Sequence, residues 1–286
     1  MSTRAEDAFR ADIVEIGRRM YARGYVASND GNISIRIDDS TILTTPKSVS
    51  KGFMTPDMMV VVDLEGKKVR GTRDASSELL MHLEVYKNRP DVRAVVHAHP
   101  PTATGFAVAG IPLDRAVLAE VVTTLGSIPI AEYGTPSTPE LPAAVRKYIK
   151  AHDGLLLANH GALTIGPDVF AAYYKMETIE HFAKISLVAR QLGREHLLSR
   201  EEVVRLQDLR GNYGIKSPAP ICADGSSLPT DSDPANCQIV EAPQSRGARL
   251  VPTDPADLDG EIRLSYRELT ALIEDAVKAL LGGQHG

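Results

Sequence analysis

His97 and His99 stand two positions apart in Val95-Val96-His97-Ala98-His99-Pro100, at the end of an apolar run. On a β-strand the side chains of residues i and i+2 share a face, so both imidazoles are expected to enter one pocket. Neutral imidazole nitrogen is a good ligand for a divalent metal of intermediate softness such as zinc. Two hydrogen-bonded histidines at a strand end are the competing reading, because an open catalytic metal site needs a third protein ligand. His160, in Asn159-His160-Gly161 between two apolar runs, is the candidate third ligand. A turn histidine bonded to backbone is its alternative.

Glu78 ends the run Ser76-Ser77-Glu78 at the expected start of a helix. Two hydroxyls beside free backbone N–H groups make a candidate anion cradle, because helix N-termini bind phosphate. Asn32 and Ser48, in earlier loops, are candidates to join it, and Lys47 adds positive charge. The alternative roles are ordinary ones: Ser77 as the cap of the helix, Ser76 and Asn32 in caps or turns.

The elements that must position these groups follow from periodicity. Phe9, Ile13, Ile16 and Met20 recur at helical spacing over residues 4–22, and Gly24 ends that helix. Ile33, Ile35 and Ile37 alternate with polar residues as a strand does, and a second strand is expected at 41–44. Residues 45–51 read as a polar loop with a proline and a cation, and Val60-Val61-Val62 continues an antiparallel meander. A helix is expected over 79–88, stopped by Pro90, then the histidine strand and a short helix over 101–108. Residues 110–135 mix apolar runs with Pro and Gly and give no clear order. Residues 138–150 read as helix, 154–158 and 162–165 as strands, 169–190 as a long helix and 201–209 as a short one. There is no internal repeat.

Composition bounds the function class. The 286 residues are 43% hydrophobic, ample for a sizeable core, and length alone suggests about two domains. The net charge of -5, with no Lys/Arg run, argues against nucleic acid or an anionic membrane as partner. Two cysteines, Cys222 and Cys237, fit a reducing compartment. No signal peptide and no membrane span are read, so a soluble cytoplasmic protein is expected. Residues 217–262 are rich in Pro, Asp, Ser and Gly and are expected to be a linker without fixed structure. Residues 263–286 are expected to hold an amphipathic helix, with a Ser265/Glu268 capping box and a stripe through Leu269, Leu272, Ile273, Ala276 and Leu280.

Gly31-Asn32-Ile33-Ser34, Ser76-Ser77-Glu78, His97-Ala98-His99-Pro100 and Asn159-His160-Gly161, in this order, resemble the class II aldolase/adducin family. The resemblance covers residues 4–214. It implies a three-layer α/β/α domain over 1–216 with a mainly antiparallel sheet, and a homotetramer with sites between subunits. It implies that His97, His99 and His160 bind one Zn2+, and that Asn32, Ser76 and Ser77 cradle a phosphate. It casts Glu78 as the acid/base, held near neutral pKa by burial, and Tyr213 as a residue reaching a neighbouring subunit's site. The implied reaction is retro-aldol cleavage of a ketose 1-phosphate, such as L-fuculose 1-phosphate, to dihydroxyacetone phosphate and L-lactaldehyde.

Rhamnulose and 5-deoxypentulose phosphates offer the same zinc-binding and phosphate ends. The related pentulose-phosphate 4-epimerases carry Asp where this chain has Glu78, so Glu favours aldol cleavage; the related methylthioribulose-phosphate dehydratases share the histidine pattern in a different surround. Two departures stand out. The usual Thr-Gly of the phosphate loop reads Lys47-Ser48, and Leu118-Ala119-Glu120 lacks the tyrosine that fuculose-phosphate-cleaving members carry there. Non-catalytic adducin-like interaction modules are the rival class, but they would be expected to lose metal ligands. The linker and last helix resemble encapsulation peptides of bacterial microcompartments, with a shell protein as partner; packing on the protein's own tetramer is the alternative.

Overall fold

The computed structural model describes residues 4–215. The expected linker at 217–262 and helix at 263–286 lie outside the described residues. No helix among the described residues is long and apolar enough to cross a membrane.

Period-2 alternation builds the central sheet. Its strands are β1 (Asn32–Arg36), β2 (Thr41–Thr44), β3 (Val60–Asp63), β4 (Lys68–Arg70), β5 (Ala94–Ala98), β6 (Ile130–Ala131), β7 (Gly154–Leu157) and β8 (Gly161–Gly166). Their order is β4-β3-β2-β1-β5-β8-β7-β6. Every pairing is antiparallel except β6 with β7, so the expectation of a mainly antiparallel sheet holds.

Helices cover both faces. Residues Arg4–Ala22 (α1), Pro101–Ala109 (α3) and Val169–Gln191 (α6) pack on one face, where Ile16, Ile33, Val96, Phe106 and Phe182 share a core. Leu79–Asn88 (α2) and Glu140–Arg146 (α5) pack on the other with Ile42, Val62, Val95 and Leu163. Val95 and Val96 thus face opposite layers, as adjacent strand residues must. The same alternation sends His97 to the α2 side. Asn32 is its direct partner across the β1–β5 pairing.

Several boundaries differ from expectation. The helix expected over 138–150 runs as α-helix only over Glu140–Arg146 and continues in turns to Ala151. The stretch without clear order contains a short helix, Ala119–Thr124 (α4), and the edge strand β6. Arg200–Leu209 (α7) begins with a Ser199/Glu202 capping box. Helix α1 ends in a Schellman motif: Tyr25 N–H reaches the Met20 carbonyl and Gly24 N–H the Tyr21 carbonyl, with Gly24 at φ +69°. That turn aims the following loop at the end of β5, where His99 N–H donates to the Tyr25 carbonyl at 2.8 Å.

Helix α3 starts two residues beyond His99, and Glu180 of α6 fixes that start. Its buried carboxylate accepts from Thr102 N–H at 3.0 Å, Ala103 N–H at 2.9 Å and the Thr102 hydroxyl at 2.8 Å. An anion there meets both the unsatisfied first-turn donors and the positive end of the helix dipole.

Candidate active site

Two neighbouring histidines and a third from far along the chain converge at one end of the sheet. His97 comes from β5, His99 from just past its end, and His160 from the β7–β8 turn. One ring nitrogen from each lies within 4.8 Å of the other two, and the Nε2 atoms of His97 and His99 are 3.2 Å apart. Imidazoles at about 2.05 Å from a tetrahedral zinc would place their nitrogens about 3.3 Å apart. The cluster is therefore on the scale of a single cation.

The second sphere favours that use. His97 Nδ1 lies 2.8 Å from the Ala162 carbonyl. A carbonyl only accepts, so Nδ1 carries the proton and Nε2 of the neutral ring turns a lone pair toward the cluster. His99 Nδ1 faces Asp30 at 3.5 Å.

Glu78 joins the cluster from the N-terminal end of α2. Its Oε1 is 3.0 Å from His160 Nε2 and its Oε2 is 3.4 Å from His97 Nε2. Asn32 Nδ2 donates to Oε2 at 2.9 Å and orients the carboxylate. Burial pushes the Glu78 carboxyl up, but the His97 charge and the bonds from His160 and His97 outweigh it. The group is held well below the ordinary carboxylate range, so the expectation of a near-neutral pKa is corrected. Burial pulls His97 down, yet Glu78 holds it above its usual value; burial with the charges of His97 and His160 pushes His99 down to about 3.

Glu78 also occupies the helix N-cap, and no side chain caps α2. The reading of Ser77 as the cap is thereby corrected: Ser77 is exposed and lines the pocket instead. The pocket, of about 250 Å³, is lined by Asn32, Lys47, Ser48, Ser76, Ser77, Glu78, His99 and His160, together with Asp30 and Lys51. Strand-like pairing gathers these loops. Ser76 N–H donates to the Thr45 carbonyl, Lys47 N–H donates to the Asp74 carbonyl, and Pro46 bridges Ala75. Ser48 holds φ +57°, a left-handed conformation that favours glycine and costs a non-glycine residue roughly 1 kcal/mol or more. The loop thus takes at Ser48 a backbone shape that glycine adopts without strain. Tyr213 stands apart: it is 68% exposed and does not line the pocket.

Two glycines make room for the histidines. Gly31 has φ +72°, and a Cβ there would sit 2.8 Å from the His97 carbonyl. A Cβ on Gly161 would lie 2.5 Å from the Ala98 carbonyl and 2.6 Å from His99 Cδ2. Gly161→Ala is expected to displace His99 and weaken metal binding about 10- to 100-fold, as disturbing ligand orientation does elsewhere. Competition with a chelating indicator checks this; unchanged affinity would show that the close approach is unimportant.

Lys51 and His82 are the residues that sequence reasoning missed. Lys51 reads as one more cation in a polar loop, but a short 3-10 turn over Lys51–Phe53 tucks it under α1. His82, one helical turn after Glu78, is buried behind the site and bonds Ser34 Oγ at 2.7 Å. Burial, with His97 nearby, pushes its imidazole down to about 3. An i, i+4 step from Glu78 was the only sequence signal for it.

Comparison with known proteins gives the family. The class II aldolase and adducin N-terminal domain matches residues 11–187. The chain belongs to the class II aldolase and adducin family. An L-fuculose phosphate aldolase of Methanococcus maripaludis is 34% identical over 181 residues, 63% of this chain and 97% of that relative. A 3-oxo-tetronate 4-phosphate decarboxylase of Pectobacterium atrosepticum is 31% identical over 191 residues, 65% of this chain and 87% of that relative. Among solved structures, an L-fuculose 1-phosphate aldolase superposes with a TM-score of 0.67 at 28% identity, covering 73% of this chain and 97% of that one. This class II aldolase chain is therefore a lyase. Class II aldolases depend on a metal, and the cluster of His97, His99 and His160 fits one.

Proposed function

We propose that the protein cleaves a ketose 1-phosphate, such as L-fuculose 1-phosphate, to dihydroxyacetone phosphate and L-lactaldehyde, using zinc. One observation carries this reading: an oriented carboxylate, Glu78, touches two of three clustered imidazoles at the edge of a pocket lined with serine hydroxyls, an amide and two lysines. His97, His99 and His160 would hold the ion, with borderline-soft nitrogen donors suited to zinc. When bound, the ion supplies the fixed positive charge that polarises a ketone and stabilises an enediolate.

The chain's own residues do the rest. Ser48, Ser76, Ser77 and Asn32, with Lys47 at the rim, hold the phosphate and so orient the sugar. Glu78 carries the proton that converts the enediolate to dihydroxyacetone phosphate, and Asn32 keeps the carboxylate aimed. Tyr213 acts on the aldehyde oxygen from a neighbouring copy in a homotetramer, since its own chain leaves it remote from the pocket.

A second reading has specific support in the decarboxylase relative. Loss of carbon dioxide from a 3-oxo-tetronate 4-phosphate leaves the same enediolate of dihydroxyacetone phosphate, so one site geometry serves either bond cleavage. A panel of ketose 1-phosphates and 3-oxo-tetronate 4-phosphate separates them. Dihydroxyacetone phosphate and lactaldehyde are expected in equal amounts from L-fuculose 1-phosphate, lost with chelator and restored by zinc. Release of carbon dioxide from the 3-oxo acid, with no cleavage of any ketose 1-phosphate, would replace the aldolase reading.

A further inference from the structure

Lys51 is 2% exposed, yet it lines the candidate phosphate pocket. Its Nζ donates to the Asn29 carbonyl at 2.9 Å and to the Val49 carbonyl at 2.8 Å. An ammonium has three N–H donors, so one remains. Both bonded partners are neutral. The nearest acids are engaged elsewhere: Asp30 faces His99, and Glu78 faces His97 and His160. No carboxylate pairs with Lys51 among the described residues.

A buried ammonium without a counter-ion is expensive, and such charges are normally paired. Burial accordingly pulls this lysine down to about 8, against the opposing pull of Asp30 and Glu78. The two carbonyls come from the loop before β1, which leads directly into Asn32, and from the loop after β2, which carries Ser48. They fix the ammonium at the wall of a pocket whose other lining includes Ser76 and Ser77. Lys47, by contrast, is exposed at the rim and free to be solvated.

We propose that Lys51 is the counter-charge for the substrate's phosphomonoester, supplying its remaining N–H to a phosphate oxygen. It thereby sets the requirement for a phosphorylated substrate. This rests on the reading of the pocket as a phosphate site, and it assigns the decisive cation to the buried lysine in place of the exposed one. The bonds to Asn29 and Val49 hold the ammonium in place before substrate arrives, so little ordering remains at binding.

The test uses the zinc-loaded full-length protein, wild type, Lys51→Met and Lys51→Gln, with inorganic phosphate as a calorimetric probe. Both variants are expected to bind phosphate about 10- to 100-fold more weakly, the usual loss for a hydrogen bond to a charged group, with zinc content and melting temperature retained. In turnover, kcat/KM for L-fuculose 1-phosphate is expected to fall by a similar factor, chiefly through KM. The rate with unphosphorylated L-fuculose is expected to change less than about threefold, because the lost partner is absent there.

If Lys51 merely ties the two loops together, Lys51→Gln restores phosphate binding through its amide donors. That result overturns the proposal, as would equal losses with phosphorylated and unphosphorylated sugar. Should no ketose 1-phosphate be a substrate, the substrate reading fails, but the phosphate calorimetry still decides the role of Lys51.

Discussion

Replacing His97 with alanine is expected to strip the metal from the folded protein and to slow carbon–carbon cleavage about a thousandfold. His97 is buried, its Nδ1 is fixed by the Ala162 carbonyl, and its Nε2 lies 3.2 Å from that of His99. Losing one of three imidazoles leaves two donors, fewer than an open catalytic site uses. The electrostatic stabilisation of a developing enediolate is worth several kcal/mol, and about 4 kcal/mol is a factor of roughly 10³. Because a buried central strand also loses packing, His99→Ala should be measured beside it; His99 is only partly buried and lies past the strand end. Elemental analysis for metal per chain, with a thermal melt, checks the claim. A folded variant that keeps a full complement of metal and cleaves at the wild-type rate ends the metal-centre reading.

Glu78→Gln is expected to lower kcat by about 10²- to 10⁴-fold, the range of positioned acid–base groups, while the protein still binds metal. Gln preserves the shape and can still accept from Asn32, but it cannot carry a proton to carbon and removes the charge facing His97 and His160. The distinguishing readout is exchange of solvent deuterium into dihydroxyacetone phosphate. That exchange depends on the proton transfer assigned to Glu78 and should fall with kcat. A Gln variant that exchanges at the wild-type rate would show that another group moves the proton.

Much of the site was legible because its chemistry is local in sequence. His97 and His99 sit at a strand end, and the strand's two-residue period points them together. The serines precede Glu78 at a helix start. What pattern reading misjudged depends on neighbours. Ser77 has the type of a cap, but Glu78 takes the N-cap position and Ser77 turns to the pocket. Glu78 has the burial that raises a carboxyl, but two imidazoles beside it reverse the sign. Lys47 and Lys51 are indistinguishable in a loop of seven residues; one remains solvated and the other is covered by α1.

Legible in the residues alone were the types that could bind a cation and an anion, the order of strands and helices outside residues 110–135, and the faces they bury. These follow from side-chain chemistry and from the 2.0 and 3.6 periodicities, which every residue obeys locally. The fold alone decided that His160, sixty-one positions beyond His99, closes on the same point, and that Gly161 leaves room for His99. It also decided which lysine loses its water. Distances between remote segments and the net sign of opposing electrostatic effects depend on how the sheet orders its strands, and no local pattern encodes that.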